Sequence, residues 1–162
     1  MYPYETYDIP ETPQELEYRI DNSKEQLLKE YDYFISHSSK DSEAVQSLIV
    51  AENQQKKNVF CDWINDVDYL KRHLVCDATL KVIERRMEQS RALIFVESEN
   101  SRKSIWCKYE LNYFRGLGKP IFMITKDNIN AGVFDLQPML SDWYLDSDYK
   151  KLALLECASI QV

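Results

Sequence analysis

Residues 31–45 read Tyr-Asp-Tyr-Phe-Ile-Ser-His-Ser-Ser-Lys-Asp-Ser-Glu-Ala-Val, and this stretch decides the fold. Its first six residues, YDYFIS, are a short aromatic and β-branched run of the kind that fits a buried strand. The run stops at a polar cluster, His37-Ser38-Ser39-Lys40-Asp41, rich in residues that cap helices. Ala44, Val45, Leu48 and Ile49 then recur at the spacing of one helix face. Strand, polar turn and amphipathic helix in this order form the opening of a βαβ unit.

The same alternation continues toward the C-terminus. Residues 58–62 (NVFCD) predict a second strand, and the polar segment 63–77 a long connection. Residues 79–89 return to helical spacing through Leu80, Ile83 and Met87. Residues 91–97 predict a third strand, 104–115 a helix closed by Gly116 and Gly118, 120–125 a fourth strand, and about 148–160 a last helix. Strands that are nearly continuous apolar runs, alternating with helices, imply an α/β fold: a central parallel sheet of four to five strands with helices on both faces. Ligands of such sheets bind at the carboxyl ends of the strands. That rule directs attention to Ser36–Ser39, to Asp62-Trp63 and to the residues from Ser98 onward.

Upstream of this domain, residues 1–30 read as a separate N-terminal piece. Pro3, Pro10 and Pro13, with tyrosines at 2, 4 and 7, predict an extended arm. Thr12-Pro13-Gln14-Glu15 then offers an N-cap, a first-turn proline and a capping-box acid, so a helix is expected from there, with Leu16 and Ile20 on one face. The division expected is an arm and capped helix over 1–30 and one globular domain over 31–162.

Composition narrows the chemistry. The chain has 162 residues, of which 44% are hydrophobic, enough for one domain with a substantial core. Only Gly116, Gly118 and Gly132 are glycine, so the glycine-rich phosphate cradles of Rossmann and Walker A motifs, which follow a first strand, are excluded. No apolar run approaches the ~20 residues of a membrane span. The net charge of −7 is concentrated at the N-terminus, where residues 1–30 carry eight acids against three bases. No lysine or arginine cluster exceeds two adjacent residues, which argues against nucleic acid as a partner. Cys61, Cys76, Cys107 and Cys157 are widely spaced with no CxxC pair, as in a reduced cytoplasmic protein. With only His37 and His73 to join them, no metal site is expected.

One pair of residues marks a candidate cleft edge, although the plainer reading of a helix glutamate from spacing alone is a solvated one. Trp106 and Glu110 are four apart and share a helix face, beside the apolar stripe of Cys107, Leu111 and Phe114. Glu110 is thereby placed next to the core, in a helix that follows a strand's carboxyl end.

Three ordered motifs resemble those of Toll/interleukin receptor (TIR) domains. YDYFISHSSKDSEAV resembles the family's first-strand motif and VFCDW its second-strand motif. SRALIFVESENSRKSIWCKYELNYFRGLGKP resembles its third strand and following helix, so that the match spans roughly residues 31–125. The chain is similar in particular to short bacterial members of the kind found in anti-phage systems such as Thoeris. The resemblance implies a flavodoxin-like fold, NAD+ as substrate rather than as a resident cofactor, and cleavage of the bond between nicotinamide and ribose. The product would be ADP-ribose, a cyclic isomer or a conjugate, sensed by a separate effector protein, and TIR self-association could accompany activity. Catalytic members use a glutamate in a WxxxE pattern, which Trp106 and Glu110 match; Glu110 is therefore expected as catalytic residue and Trp106 as a wall for the substrate. Ser36, His37, Ser38, Asp62 and Trp63 are expected around the same substrate.

Plainer roles stand beside these. Ser38–Asp41 could cap the next helix, Asp62 could satisfy backbone donors, and Lys71 and Arg72 could be solvated rather than bound to phosphate. His37 beside serines does not make a nucleophilic pair, because no orienting acid is evident. Trp143 and Tyr144 read as packing residues. The connection over 63–77 holds no glycine, where many TIR domains have one. A non-catalytic TIR interaction module is the alternative to the enzyme. A phosphoacceptor receiver of similar architecture is excluded, since it needs acids where Ser36-His37 and an aspartate where Ser98 stand.

Overall fold

The computed structural model describes residues 28–61 and 76–160. The expected N-terminal arm and helix, Asp62, Trp63, Lys71 and Arg72 lie outside the described residues.

The strands are β1 (Tyr31–Ser36), β2 (Val59–Cys61), β3 (Ser90–Glu97), β4 (Ile121–Thr125) and β5 (Gln137–Pro138). The helices are α1 (Ser42–Gln54), α2 (Cys76–Glu88), α3 (Glu99–Lys103), α4 (Ile105–Gly116), α5 (Lys126–Asn130) and α6 (Tyr149–Ile160). Short 3-10 turns over Ser39–Asp41 and Trp143–Leu145 complete the described elements. The sheet order is β2-β1-β3-β4-β5, the doubly wound order of flavodoxin-like folds. β1 to β4 are mutually parallel, with Ile35 opposite Cys61 and Ser36 opposite Phe95. β5 departs from the expected parallel pattern, because it joins the β4 edge antiparallel, with Pro138 opposite Phe122. A proline has no N–H to give a ladder and so belongs on such an edge.

Side chains alternate between two cores. On one face Phe34, Phe60, Leu93 and Phe95 meet Leu80, Ile83 and Met87 of α2, Trp106, Cys107, Leu111 and Phe114 of α4, and Ala153 of α6. This core is rich in aromatic rings; Phe34 and Phe60 stack with centroids 5.4 Å apart. On the other face Ile35, Val59, Ile94, Val96 and Ile124 meet Ala44, Val45, Leu48 and Ile49 of α1 and Ile129 of α5. This second core is aliphatic. Full burial of each such side chain contributes about 1.5–3 kcal/mol, so the apolar positions read in the sequence contribute to stability from strands and helices alike.

The helix expected over 104–115 is found one residue along as α4, with a short helix, α3, added before it, because both Ser98 and Ser104 cap. Ser98 Oγ accepts from the Ser101 N–H and Ser104 Oγ from the Cys107 N–H. At the far end α4 closes through bonds from Leu117 and Gly118 N–H to the Phe114 and Arg115 carbonyls. Gly118 lies at φ +73°, where a side chain would be strained.

Candidate active site

The chain leaves β1 toward α1 on the aliphatic face and, beyond β3 and the short α3, reaches α4 on the aromatic face. The two neighbouring strands thus part at their carboxyl ends, which makes this the switch point of the sheet. Ser36 ends β1 there. Its hydroxyl, on the face of Phe34, donates to Glu110 Oε1 of α4 at 2.7 Å. Residues 74 positions apart in sequence are thereby joined at the edge where ligands of this architecture bind.

Glu110 lies deeper than its place beside the stripe suggests, at 1% exposure. The cause is that α4 is enclosed on more than one side. Cys107, Leu111 and Phe114 face the sheet core, while Tyr109 on the flank donates its phenol to Glu84 of α2 at 2.8 Å. Burial, together with the Glu84 charge, pushes the Tyr109 phenol far above its ordinary pKa, so it remains a donor. Trp106, one turn before Glu110, is 6% exposed and meets the Tyr109 ring edge-on at 6.2 Å. Most of its indole therefore belongs to the wall of the core.

His37 and Ser38 occupy the loop after Ser36. His37 is buried; its Nδ1 lies 3.0 Å from the Ser38 carbonyl oxygen and its Nε2 3.3 Å from the Cys61 sulfur. A carbonyl can only accept, which assigns the proton to Nδ1 and leaves Nε2 to accept from the Cys61 thiol. The imidazole thus ties β1 to β2 rather than activating a serine. Ser38 Oγ accepts from the Lys40 N–H at 3.2 Å and caps the 3-10 turn, the plainer of its two expected roles. Of the predicted site residues, the structure brings together Ser36, His37, Ser38, Trp106 and Glu110 around one strand end; among the contacts described, Ser36 is bonded to Glu110 and the His37 ring to the Ser38 carbonyl.

A second buried carboxylate sits at the same edge, and sequence reasoning took it only for part of a cap. Asp41 is 1% exposed. It accepts from Ser98 Oγ, from Asn100 Nδ2 at 3.1 Å and from Lys126 Nζ at 3.1 Å. Burial by itself would raise its pKa, but the bonds from Ser98, Asn100 and Lys126 and the ammonium charge outweigh it and hold the carboxyl below its ordinary value. Only part of the signal was legible: the strand-end rule pointed to Ser36–Ser39 and to the residues from Ser98 onward, but not to Lys126 after β4. A cleft of about 600 Å³ opens beside this cluster, lined by Ser98, Asn100, Arg102 and Lys126 among others.

Trp143 packs, as expected: its ring lies 5.7 Å from Phe95, with the Arg102 guanidinium 4.7 Å above it, and Tyr144 is fully buried. Among the described residues no group of three His, Cys, Asp or Glu side chains converges as a metal site. Nor is any described helix long and apolar enough to cross a membrane.

Comparison with known proteins fits this geometry. The chain is 39% identical over 147 residues to a protein of Cytobacillus dafuensis named putative cyclic ADP-D-ribose synthase TIR2, covering 88% of this chain and 39% of that protein. It is 34% identical over 96 residues to the probable 3' cyclic ADP-D-ribose synthase ThsB' of Bacillus cereus (strain MSX-D12), covering 59% of this chain and 49% of that protein. Toll-like receptor 2 of Bos indicus is 39% identical over 106 residues, 65% of this chain and 12% of the receptor. The chain therefore spans less than half the length of each of these relatives. Residues 34–131, from the middle of β1 to the end of α5, match the profile of the family described as Thoeris protein ThsB, TIR-like domain. With the doubly wound sheet and the Ser36–Glu110 pair in place, the chain belongs to this TIR-like family.

Proposed function

We propose that this chain cleaves the nicotinamide–ribose bond of NAD+ and joins the resulting ADP-ribosyl group to a second nucleophile of the same molecule, giving a cyclic ADP-ribose. The observation that carries the reading is the Ser36–Glu110 hydrogen bond at the switch point of the sheet. The names of the two bacterial relatives support the class of product.

The chemistry needs little from the protein. Ordinary glycosidases supply a second carboxyl to protonate a leaving oxygen. In NAD+ the leaving nitrogen is already cationic, so the C1′–N bond breaks to release neutral nicotinamide without a general acid. What remains is positive charge on the ribose ring, and a carboxylate held in a low-dielectric wall stabilises it strongly. Glu110 is the group for that task, or for holding the ribose hydroxyls beside it. The Ser36 hydroxyl orients the carboxylate without cancelling its charge, as a neutral donor does. Trp106 and Tyr109 keep the helix face rigid beneath it. A nucleophile on the adenosine half then bonds C1′ and loses its proton, closing the ring; water in the same place yields ADP-ribose instead. Asp62 and Trp63 complete the substrate's surroundings in this proposal. The product serves as a diffusible signal to a separate effector in anti-phage defence, from a cytoplasmic location, with self-association of the TIR domain as the activating step.

The test is mass spectrometry of NAD+ incubated with the protein, with and without self-assembly promoted at high concentration. Release of nicotinamide together with a species one water lighter than ADP-ribose is the expected result. Glu110→Gln should stop both while leaving the fold intact. Full turnover by that variant would remove Glu110 from the mechanism, and no turnover by the wild type under any assembling condition would favour an interaction module.

A further inference from the structure

The loops after β1, β3 and β4 are joined by one side chain. Asp41 stands just before α1, Ser98 and Asn100 just after β3, and Lys126 just after β4. β1 and β3 are neighbours whose continuations turn to opposite faces of the sheet, so their loops would be free to spread apart over the crevice between them. The Asp41 carboxylate spans that divide. One oxygen takes the Ser98 hydroxyl and the other takes the Asn100 amide and the Lys126 ammonium.

Each partner is itself fixed. Ser98 caps α3 through the Ser101 N–H at 3.0 Å, and its own N–H donates back to Ser101 Oγ at 2.8 Å. The Asp41 N–H donates to the Ser38 carbonyl at 3.0 Å, closing the turn that leads out of β1. Lys126 opens α5, which Thr125 caps through the Asn128 N–H at 3.1 Å. A carboxylate receiving a hydroxyl, an amide and an ammonium is a rigid junction, since charge-assisted bonds are the stronger class. It joins three loops on the α1 and α5 side, whereas Ser36 and Glu110 lie on the α4 side of the same edge.

We propose that Asp41 is a positioning residue for the dinucleotide: by tying the β3 and β4 loops to the β1 loop it sets the width of the switch-point crevice and closes it on the α1 side. Substrate is then confined to the side on which Glu110 lies. Asp41 touches neither the reacting bond nor Glu110 in this scheme, and acts only through the loops it holds. The inference rests on the reading of the Ser36–Glu110 edge as a dinucleotide site.

The two roles separate in kinetics. Asp41→Asn keeps the shape of the side chain but replaces an acceptor with a donor facing Asn100 and Lys126 or Ser98. It should raise KM for NAD+ about tenfold and weaken binding of ADP-ribose, used as an uncleaved probe in titration calorimetry, by a similar factor. Its kcat, corrected for the folded fraction, should stay within about twofold. Glu110→Gln should show a different pattern, with kcat lost. Ser98→Ala removes one bond and should move KM and ADP-ribose affinity the same way by about threefold, which keeps the proposal exposed if Asp41→Asn folds poorly. Unchanged KM and ADP-ribose affinity in both variants, with kcat falling only as the folded fraction falls, would reduce Asp41 to a stabilising contact and overturn the proposal. If wild type binds ADP-ribose but does not turn over NAD+, the cleavage reading fails while the calorimetric comparison still decides the role of Asp41. Wild type that does neither overturns both.

Discussion

Two carboxylates, equally buried at one edge of one sheet, differ in the donors described around them. Asp41, on the aliphatic side, meets an ammonium, an amide and a hydroxyl from three loops. Glu110, on the aromatic side, receives the hydroxyl of Ser36 from the strand that ends beneath it. A carboxylate balanced by a cation is a fixture, because its charge is already spent within the protein. In the proposed mechanism the Ser36 hydroxyl orients the Glu110 carboxylate toward a developing oxocarbenium without itself offsetting the charge. Burial by itself therefore does not tell the two acids apart.

The sharpest way to break this contrast is to neutralise each acid in turn. Glu110→Gln should reduce NAD+ cleavage at least a hundredfold, the scale of losing a preorganised electrostatic partner. Glutamine keeps an oxygen for the Ser36 hydroxyl, so its thermal unfolding should change little. Asp41→Asn should do the opposite, leaving kcat nearly intact while destabilising the fold by about 2–3 kcal/mol, since buried donors lose an ionised acceptor. Chemical denaturation read alongside nicotinamide release checks both. Similar stability losses in the two variants would dissolve the distinction.

The same two residues show how much of this is legible in the sequence alone. The place of Glu110 beside the core was legible locally, because Trp106 and Glu110 share a helix face within one turn beside an apolar stripe, whereas its expected catalytic role came from the resemblance to the TIR WxxxE pattern. Its partner Ser36 was legible as a strand's last residue, although the bond between them spans 74 positions. Asp41 was not legible as a hub, because its partners stand 57 and 59 positions downstream in Ser98 and Asn100 and still farther in Lys126. No periodicity records such a convergence; only the sheet order β2-β1-β3-β4-β5, which places the three loops side by side, creates it. For the same reason α5 and the two-residue β5 escaped the pattern: both are too short to show a period, and tertiary placement decides them.

A smaller effect sharpens the role of Ser36. Ser36→Ala removes the hydroxyl from a fully buried position without adding volume. The carboxylate of Glu110 then loses an orienting donor, worth about 1.5 kcal/mol for a bond to a charged group, and kcat should fall about tenfold. KM should hold within about twofold, as follows if Asp41 sets the crevice width in the way proposed. Steady-state kinetics at saturating and limiting NAD+ separate the two parameters. A KM effect equal to that of Asp41→Asn would mean that the β1 loop and the strand end act as one unit rather than two.

The smallest effect is a dependence on pH, and its sign distinguishes a cation-balanced acid from other buried acids in the same protein. The folded state holds Asp41 below the ordinary aspartate value of about 3.9, since the bonds from Ser98, Asn100 and Lys126 outweigh the cost of burial. Its stabilising contribution is therefore complete above that ordinary value and is lost only as pH falls through the lower folded one. Glu52 of α1 runs the other way. Burial pushes its pKa up, with the Lys57 charge a partial offset, so it weakens the fold as pH rises through the carboxylate range. Acid unfolding of the wild type sums these opposing trends and cannot identify either. The difference in unfolding free energy between wild type and Asp41→Asn removes Glu52 and every other common group. That difference should be flat from pH 8 to about pH 5 and should shrink below about pH 4, as the wild-type carboxyl takes up its proton and comes to resemble the amide. A gap that instead closes between pH 5 and 7 would mean that Asp41 titrates like a desolvated acid, and that Lys126 does not balance it.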